Sequence, residues 1–162
     1  NITVAYETEV NAFAPMDAAG TITNTAVVSG GGITPITVTE TIGTESTPIL
    51  TITKSVSPVP VTENGTLTYT FLIQNAGSAP ADIGTDAVIV DTFNPLLSNL
   101  AVSFNGTAWA ETTNYTYDET TGVFTTIAGQ ITVPAATYTQ NPATGVWTAD
   151  PGVSTLVVKG TI

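Results

Sequence analysis

The hydrophobic positions along this chain recur every second residue. Residues 2–10 (Ile-Thr-Val-Ala-Tyr-Glu-Thr-Glu-Val) alternate apolar with polar, and so do residues 21–29 and 33–42. Alternation of this period puts successive side chains on opposite faces of an extended strand. No window sustains the i, i+3, i+4, i+7 spacing of an amphipathic helix. From Ile49 onward the pattern predicts short strands near 49–56, 66–75, 86–92, 99–104, 113–117, 122–126, 129–133 and 154–162. Turn signals separate them: Glu63-Asn64-Gly65, Asn75-Ala76-Gly77, Asn105-Gly106, Asp118 to Gly122, and Asn141-Pro142. The pattern predicts an all-β chain, with an immunoglobulin-like sandwich of two antiparallel sheets as its architecture.

Ahead of that body, residues 11–20 read as a loop carrying Pro15, Asp17 and Gly20, and Gly30-Gly31-Gly32 ends the strand at 21–29. Pro35 makes 33–42 an edge strand or part of an extended linker over 31–47. The expected organisation is therefore residues 1–30 as closing or donor strands, 31–47 as linker, and 48–162 as the sandwich. A strand at 154–162 ends the chain with none after it to close the sandwich, while two strands stand at the N-terminus with no body before them. The start at Asn1, inside a strand-like pattern, is expected of a processed product or an excerpt.

Composition reinforces the strand reading and removes whole classes of chemistry. The 162 residues are 42% hydrophobic, only 9% charged and rich in Thr, Val and Ile, which suit strands. Thirteen acidic residues against two basic ones give a net charge of −11, which repels nucleic-acid backbones and anionic membranes. No apolar run approaches membrane-spanning length. Neither Cys nor His occurs, so disulfides, thiolate metal sites, His general bases and Ser-His-Asp catalysis are excluded. No cofactor and no metal site is called for. Asp118-Glu119 reads as a hairpin turn, since it lacks the oxygen spacing of a calcium loop.

The residue of most chemical interest is Lys54. In the strand Leu50-Thr-Ile-Thr-Lys54-Ser-Val56 it shares a face with Leu50, Ile52 and Val56. A cation aimed at a core is costly unless something pairs with it or consumes it. Asp91 shares a face with Ile89 and Phe93, and Asn24 with Ile22, Ala26 and Val28. The plain reading is an ion pair of Lys54 with Asp91, or a Lys that guards a sheet edge, with Asn24 bonded to backbone.

Several segments together resemble one known module. Leu50-Thr-Ile-Thr-Lys54-Ser-Val-Ser-Pro58, Gly65-Thr-Leu-Thr-Tyr69-Thr-Phe71, Asn75-Ala-Gly77, Val90-Asp91-Thr-Phe93 and Ile22-Thr-Asn24-Thr-Ala26-Val27 are similar to the surface repeat family of bacteria and archaea called domain of unknown function eleven. The resemblance covers about residues 48–162 plus 1–30. It implies a secreted, cell-surface, non-enzymatic structural protein. The order departs from the family pattern, because the segment around Asn24 closes a domain there and precedes the body here. Either a longer protein was cut, or the tail of one subunit completes the next.

Lys54, Asp91 and Asn24 also resemble the autocatalytic isopeptide sites of Gram-positive pilins and collagen-adhesin domains. Burial favours the uncharged forms of amine and carboxylic acid, so the acid could polarise the Asn carboxamide while the amine attacks it and ammonia leaves. The expected function is a subunit of an extracellular filament, assembling head to tail by donor-strand complementation with copies of itself. The alternative is a stalk or ligand-binding module of an adhesin, with partner contacts in loops 105–122 or 134–152. A diffusible-substrate enzyme finds no support in the spacing of the acids. Four Asn-X-Thr sites (Asn1, Asn64, Asn105, Asn114) are of the number that chance gives a Thr-rich chain, Trp109 and Trp147 read as core or loop anchors ahead of a carbohydrate platform, and Lys159 reads as solvated.

Overall fold

The computed structural model describes residues 3–8, 21–43 and 47–162. In chain order its strands are β1 (Thr21–Gly30), β2 (Ile33–Gly43), β3 (Leu50–Ser57), β4 (Thr66–Asn75), β5 (Val90–Thr92), β6 (Ser98–Phe104), β7 (Thr107–Trp109), β8 (Tyr115–Tyr117), β9 (Val123–Thr126), β10 (Thr137–Gln140), β11 (Trp147–Asp150) and β12 (Gly152–Thr161). Among the described residues one 3-10 turn, Ile83–Thr85, is present. The protein is all-β, and every pairing between strands is antiparallel where a register is defined. It divides into two compact units. One takes Asn1–Ser46 with Tyr138–Ala149, and the other takes Thr47–Thr137 with Asp150–Ile162.

The larger unit is a sandwich. One sheet runs β3-β4-β12-β6-β7 and the other β5-β9-β8. On β4, alternation buries Leu67, Tyr69, Phe71 and Ile73, and the neighbouring β12 contributes Leu156 and Val158 at 0% exposure. Phe124 of β9 and Tyr115 of β8 come from the facing sheet, and Phe93 sits between the layers against Tyr69 (ring centroids 4.7 Å) and Phe124 (5.8 Å). Ridges of aromatic and branched side chains from both sheets thus form one core.

Two local devices hold the sandwich's corner. Asn75 is completely buried, accepts from the Ile49 and Gly77 amides at 2.9 Å each, and donates to the carbonyls of Ala79 (2.7 Å) and Pro134 (3.0 Å). All four hydrogen-bonding sites of its carboxamide are satisfied. Gly77 follows because a Cβ there would lie 2.1 Å from the Thr47 carbonyl oxygen.

The smaller unit contains two hairpins, β1–β2 and β10–β11. The β1–β2 hairpin is long and two-faced. One face carries threonines, with Thr23–Thr41 and Thr25–Thr39 hydroxyls in contact at 3.3 and 3.1 Å. The other carries Ile22–Ile42, Asn24–Glu40, Ala26–Val38 and Val28–Ile36 as directly opposed pairs. In the β10–β11 turn, Asn141 accepts the Ala143 amide and closes the loop.

Several expected elements are corrected. Residues 3–8 of the strand predicted at 2–10 form no strand, since the described residues offer them no ladder partner; Ile2, Glu9 and Val10 lie outside the description, as does the 11–20 loop. The predicted linker 31–47 is largely β2, hydrogen-bonded to β1, and Pro35 sits at the register irregularity near the turn, where its missing N–H costs no ladder bond. Residues 129–133 contribute only an isolated bridge from Val133 to Ala81; alternation there reports inward anchoring of Ile131 and Val133, both buried, rather than a ladder. The strand predicted at 86–92 shrinks to β5, whose partner β9 has only four residues. β7, β10 and β11 have no counterpart among the strands that alternation predicts. The Asn105-Gly106 turn, with φ of 48° and 81°, folds β7 directly back on β6.

Candidate functional site

β3 is an edge strand, and its register on β4 decides what faces where. Leu50, Ile52, Lys54 and Val56 lie opposite Asn75, Ile73, Phe71 and Tyr69, residues that point into the core. The row on β3 therefore also points inward, as alternation predicts. Yet every residue of β3 is exposed, with Ile52 half-exposed and Leu50 and Val56 at 36% and 39%. The cause is the neighbouring layer. Its edge strand β5 is only three residues long, so the space beside β3 lies open. An apolar groove of about 140 Å³ remains there, lined by Leu50, Ile52, Ile73, Val88, Ile89 and Ile131.

Lys54 stands in the inward row of this open side. Its ammonium contacts the Asp91 carboxylate from β5. Three rings surround the same nitrogen, with centroids at 4.8 Å (Tyr69), 5.6 Å (Phe71) and 5.3 Å (Phe93). Carboxylate and ring faces both stabilise the cation, which explains how a Lys is tolerated in an apolar row. The side chains of Lys54 and Asp91 remain 38% and 19% exposed. Burial, then the Asp91 charge, then Tyr117 push the Tyr69 phenol above its ordinary value.

The structure thus joins Lys54 to Asp91 within the sandwich. Asn24 lies on β1 in the hairpin unit, exposed, and its amide donates to the Tyr6 hydroxyl at 2.7 Å. Opposite Asn24 stands Glu40, a carboxylate that the sequence did not single out because only the hairpin register makes the two neighbours. Chemically, Lys54 with Asp91 supplies an amine and a proton acceptor, and Asn24 a carboxamide.

Among the remaining candidates, Asp118, Asn105, Asn114 and Trp109 serve turns, loops and the core's rim. The Asp118 carboxylate accepts from the Thr120 hydroxyl and amide, and these bonds hold it down to about 2 although it is fully exposed. It is engaged by its own turn rather than facing a ligand. Asn105 accepts the Thr155 amide and donates to Ser154, and Asn114 bridges Ala110 to Gln130, so both amides tie loops. Asn64 occupies a left-handed turn position and is exposed. Trp109 stacks on Phe104 at 4.9 Å as an anchor of the core's rim, whereas the Trp147 side chain lies outside the described residues. Lys159 is exposed on β12. Comparison with family models, characterised proteins and solved structures found no match.

Proposed function

We propose that this chain is a structural subunit of an extracellular surface filament, built like the repeat family called domain of unknown function eleven. Its immunoglobulin-like sandwich is completed by strands from a neighbouring copy. The observation that carries the reading is a pair of uncovered apolar faces. The inward row of β3 is only partly covered by the opposing layer, and on the β1–β2 hairpin Val28, Ile36, Val38 and Ile42 are all 59% exposed or more. An isolated two-stranded hairpin is at best marginally stable in water, so this one needs a surface to cover it. A free sheet edge with an apolar floor is such a surface. At about 0.5–1.5 kcal/mol net per hydrogen bond, a docked strand of this length supplies several kcal/mol before apolar burial is counted.

Docking would also drive the covalent step. Beside the open groove Lys54 is a partly exposed ammonium paired with Asp91, and a docked hairpin that excluded the remaining water would favour proton transfer between them. The neutral amine then attacks the Asn24 side-chain carbonyl carbon of the incoming hairpin. The tetrahedral adduct collapses with loss of ammonia, which leaves as ammonium with the proton Asp91 had held, so that Asp91 ends as a carboxylate again. One C–N bond forms and one breaks, and the joint becomes an amide.

Electron microscopy of the purified protein tests assembly, with filaments expected. Intact mass tests the bond. Each amide formed removes one ammonia, about 17 Da, and the loss should vanish in Lys54→Ala along with ladders that survive boiling in detergent. Filaments with unchanged mass retire the covalent step alone. A monomer at every concentration retires the filament and favours a stalk or adhesin module.

A further inference from the structure

The hairpin and the groove carry the same interrupted pattern. The apolar face of the hairpin has one polar pair, Asn24 opposite Glu40, flanked by Ile22–Ile42 on one side and Ala26–Val38 on the other. The inward row of β3 has one polar residue, Lys54, flanked by Ile52 and Val56. The charges are opposite. The chain has two basic residues in all, and the other, Lys159, is exposed on β12.

We propose that the groove beside β3 receives the β1–β2 hairpin of a second copy in one register, fixed by the partner's Glu40 on Lys54. This rests on the filament reading and specifies its joint. An ammonium has three N–H donors. Asp91 takes one of them, leaving two for the partner's Glu40 carboxylate and the partner's Asn24 carbonyl in the docked pair, before any proton leaves the ammonium. Because Asn24 and Glu40 are directly opposed, the pair arrives at the level of Lys54 whichever of the two strands lies beside β3.

The alternatives are costly. A slip of one residue turns the threonine face of the hairpin inward. A slip of two sets Lys54 against Ile22 or Ala26 and buries Glu40 among the groove's apolar side chains, where an unpaired charge is strongly unfavourable. Charge as well as shape selects the occupant. Two copies of net charge −11 repel each other, so the contact that brings them together needs a cation at its centre. Lys54 continues the inward row whose Leu50 and Ile52 line the groove, and the partner's Glu40 is the acid in the face that fits it.

A charge exchange tests this through non-covalent assembly, read by light scattering against concentration. Glu40→Lys should raise the assembly threshold at least about tenfold, as close interfacial charge pairs do. In an Asn24→Ala background, which cannot form the amide, Lys54→Glu should do the same, and the double variant should return to within about threefold of that background. Circular dichroism checks that each variant folds. Glu40→Gln, on an exposed hairpin position, serves if the double variant does not fold; it should also raise the threshold. An unchanged threshold in Glu40→Lys or Glu40→Gln, or a folded double variant that fails to recover, overturns the register while leaving filament assembly intact. A wild-type protein that never assembles removes the filament reading and this inference with it.

Discussion

Ile52 offers a way to perturb the groove while sparing the core. Its side chain is half-exposed in the inward row of β3. Full burial of an Ile side chain stabilises by roughly 1.5–3 kcal/mol, so Ile52→Asn should cost the isolated subunit only about 1 kcal/mol. Under a docked hairpin the other half of that burial is also lost. The carboxamide is then enclosed among apolar groups, at about 1–3 kcal/mol more. Assembly should therefore weaken by about 2–4 kcal/mol, on the order of 30- to 1000-fold in the association constant. Val153→Asn is the control, since Val153 is 46% exposed but lies on the outward face of β12. Thermal melts by circular dichroism report the subunit, and sedimentation velocity over a concentration series reports assembly. Equal effects of the two substitutions on assembly would refute the assignment of the groove as the docking surface.

Asn75→Leu should destabilise the sandwich by about 3 kcal/mol, because it strands the buried amides that Asn75 accepts from; a fall in melting temperature on the order of 10 °C is expected, and an unchanged melt refutes the role. The Asp118 carboxyl is held to about 2, below its unfolded value near 3.8. Its contribution is therefore fully present above about pH 4 and is lost as pH falls toward 2. A carboxyl-carbon NMR titration should show that midpoint in wild type and a higher one in Thr120→Val. Tyr69 should ionise above 10 in an ultraviolet titration, and Asp91→Asn should lower that value only partway, because burial outweighs the Asp91 charge. A complete return to 10 in Asp91→Asn would reverse that order of causes.

Much of this protein was legible from alternation alone. Period-two patterning located β1, β3, β4, β6 and β12 to within a residue or two, and it put Lys54, Asp91 and Asn24 in register with apolar neighbours. Those inferences succeed because side-chain direction in a strand is a local consequence of backbone pleat. Pairing is not local. Whether residues 33–43 run free as a linker or fold back as β2, and whether 129–133 joins a ladder, depends on which backbone partner comes within reach. For the same reason the sequence could state that Lys54 points inward but not that the inward space is open. That openness comes from the mismatch of a long edge strand, β3, with a three-residue edge, β5, in the opposing layer. The Asn24–Glu40 pair likewise exists only in the hairpin's register. The sequence by itself determined strands, faces and the excluded chemistries, because these follow from residue type and parity; partners, exposure and the opposed pair were decided by tertiary structure, because each depends on residues distant in the chain.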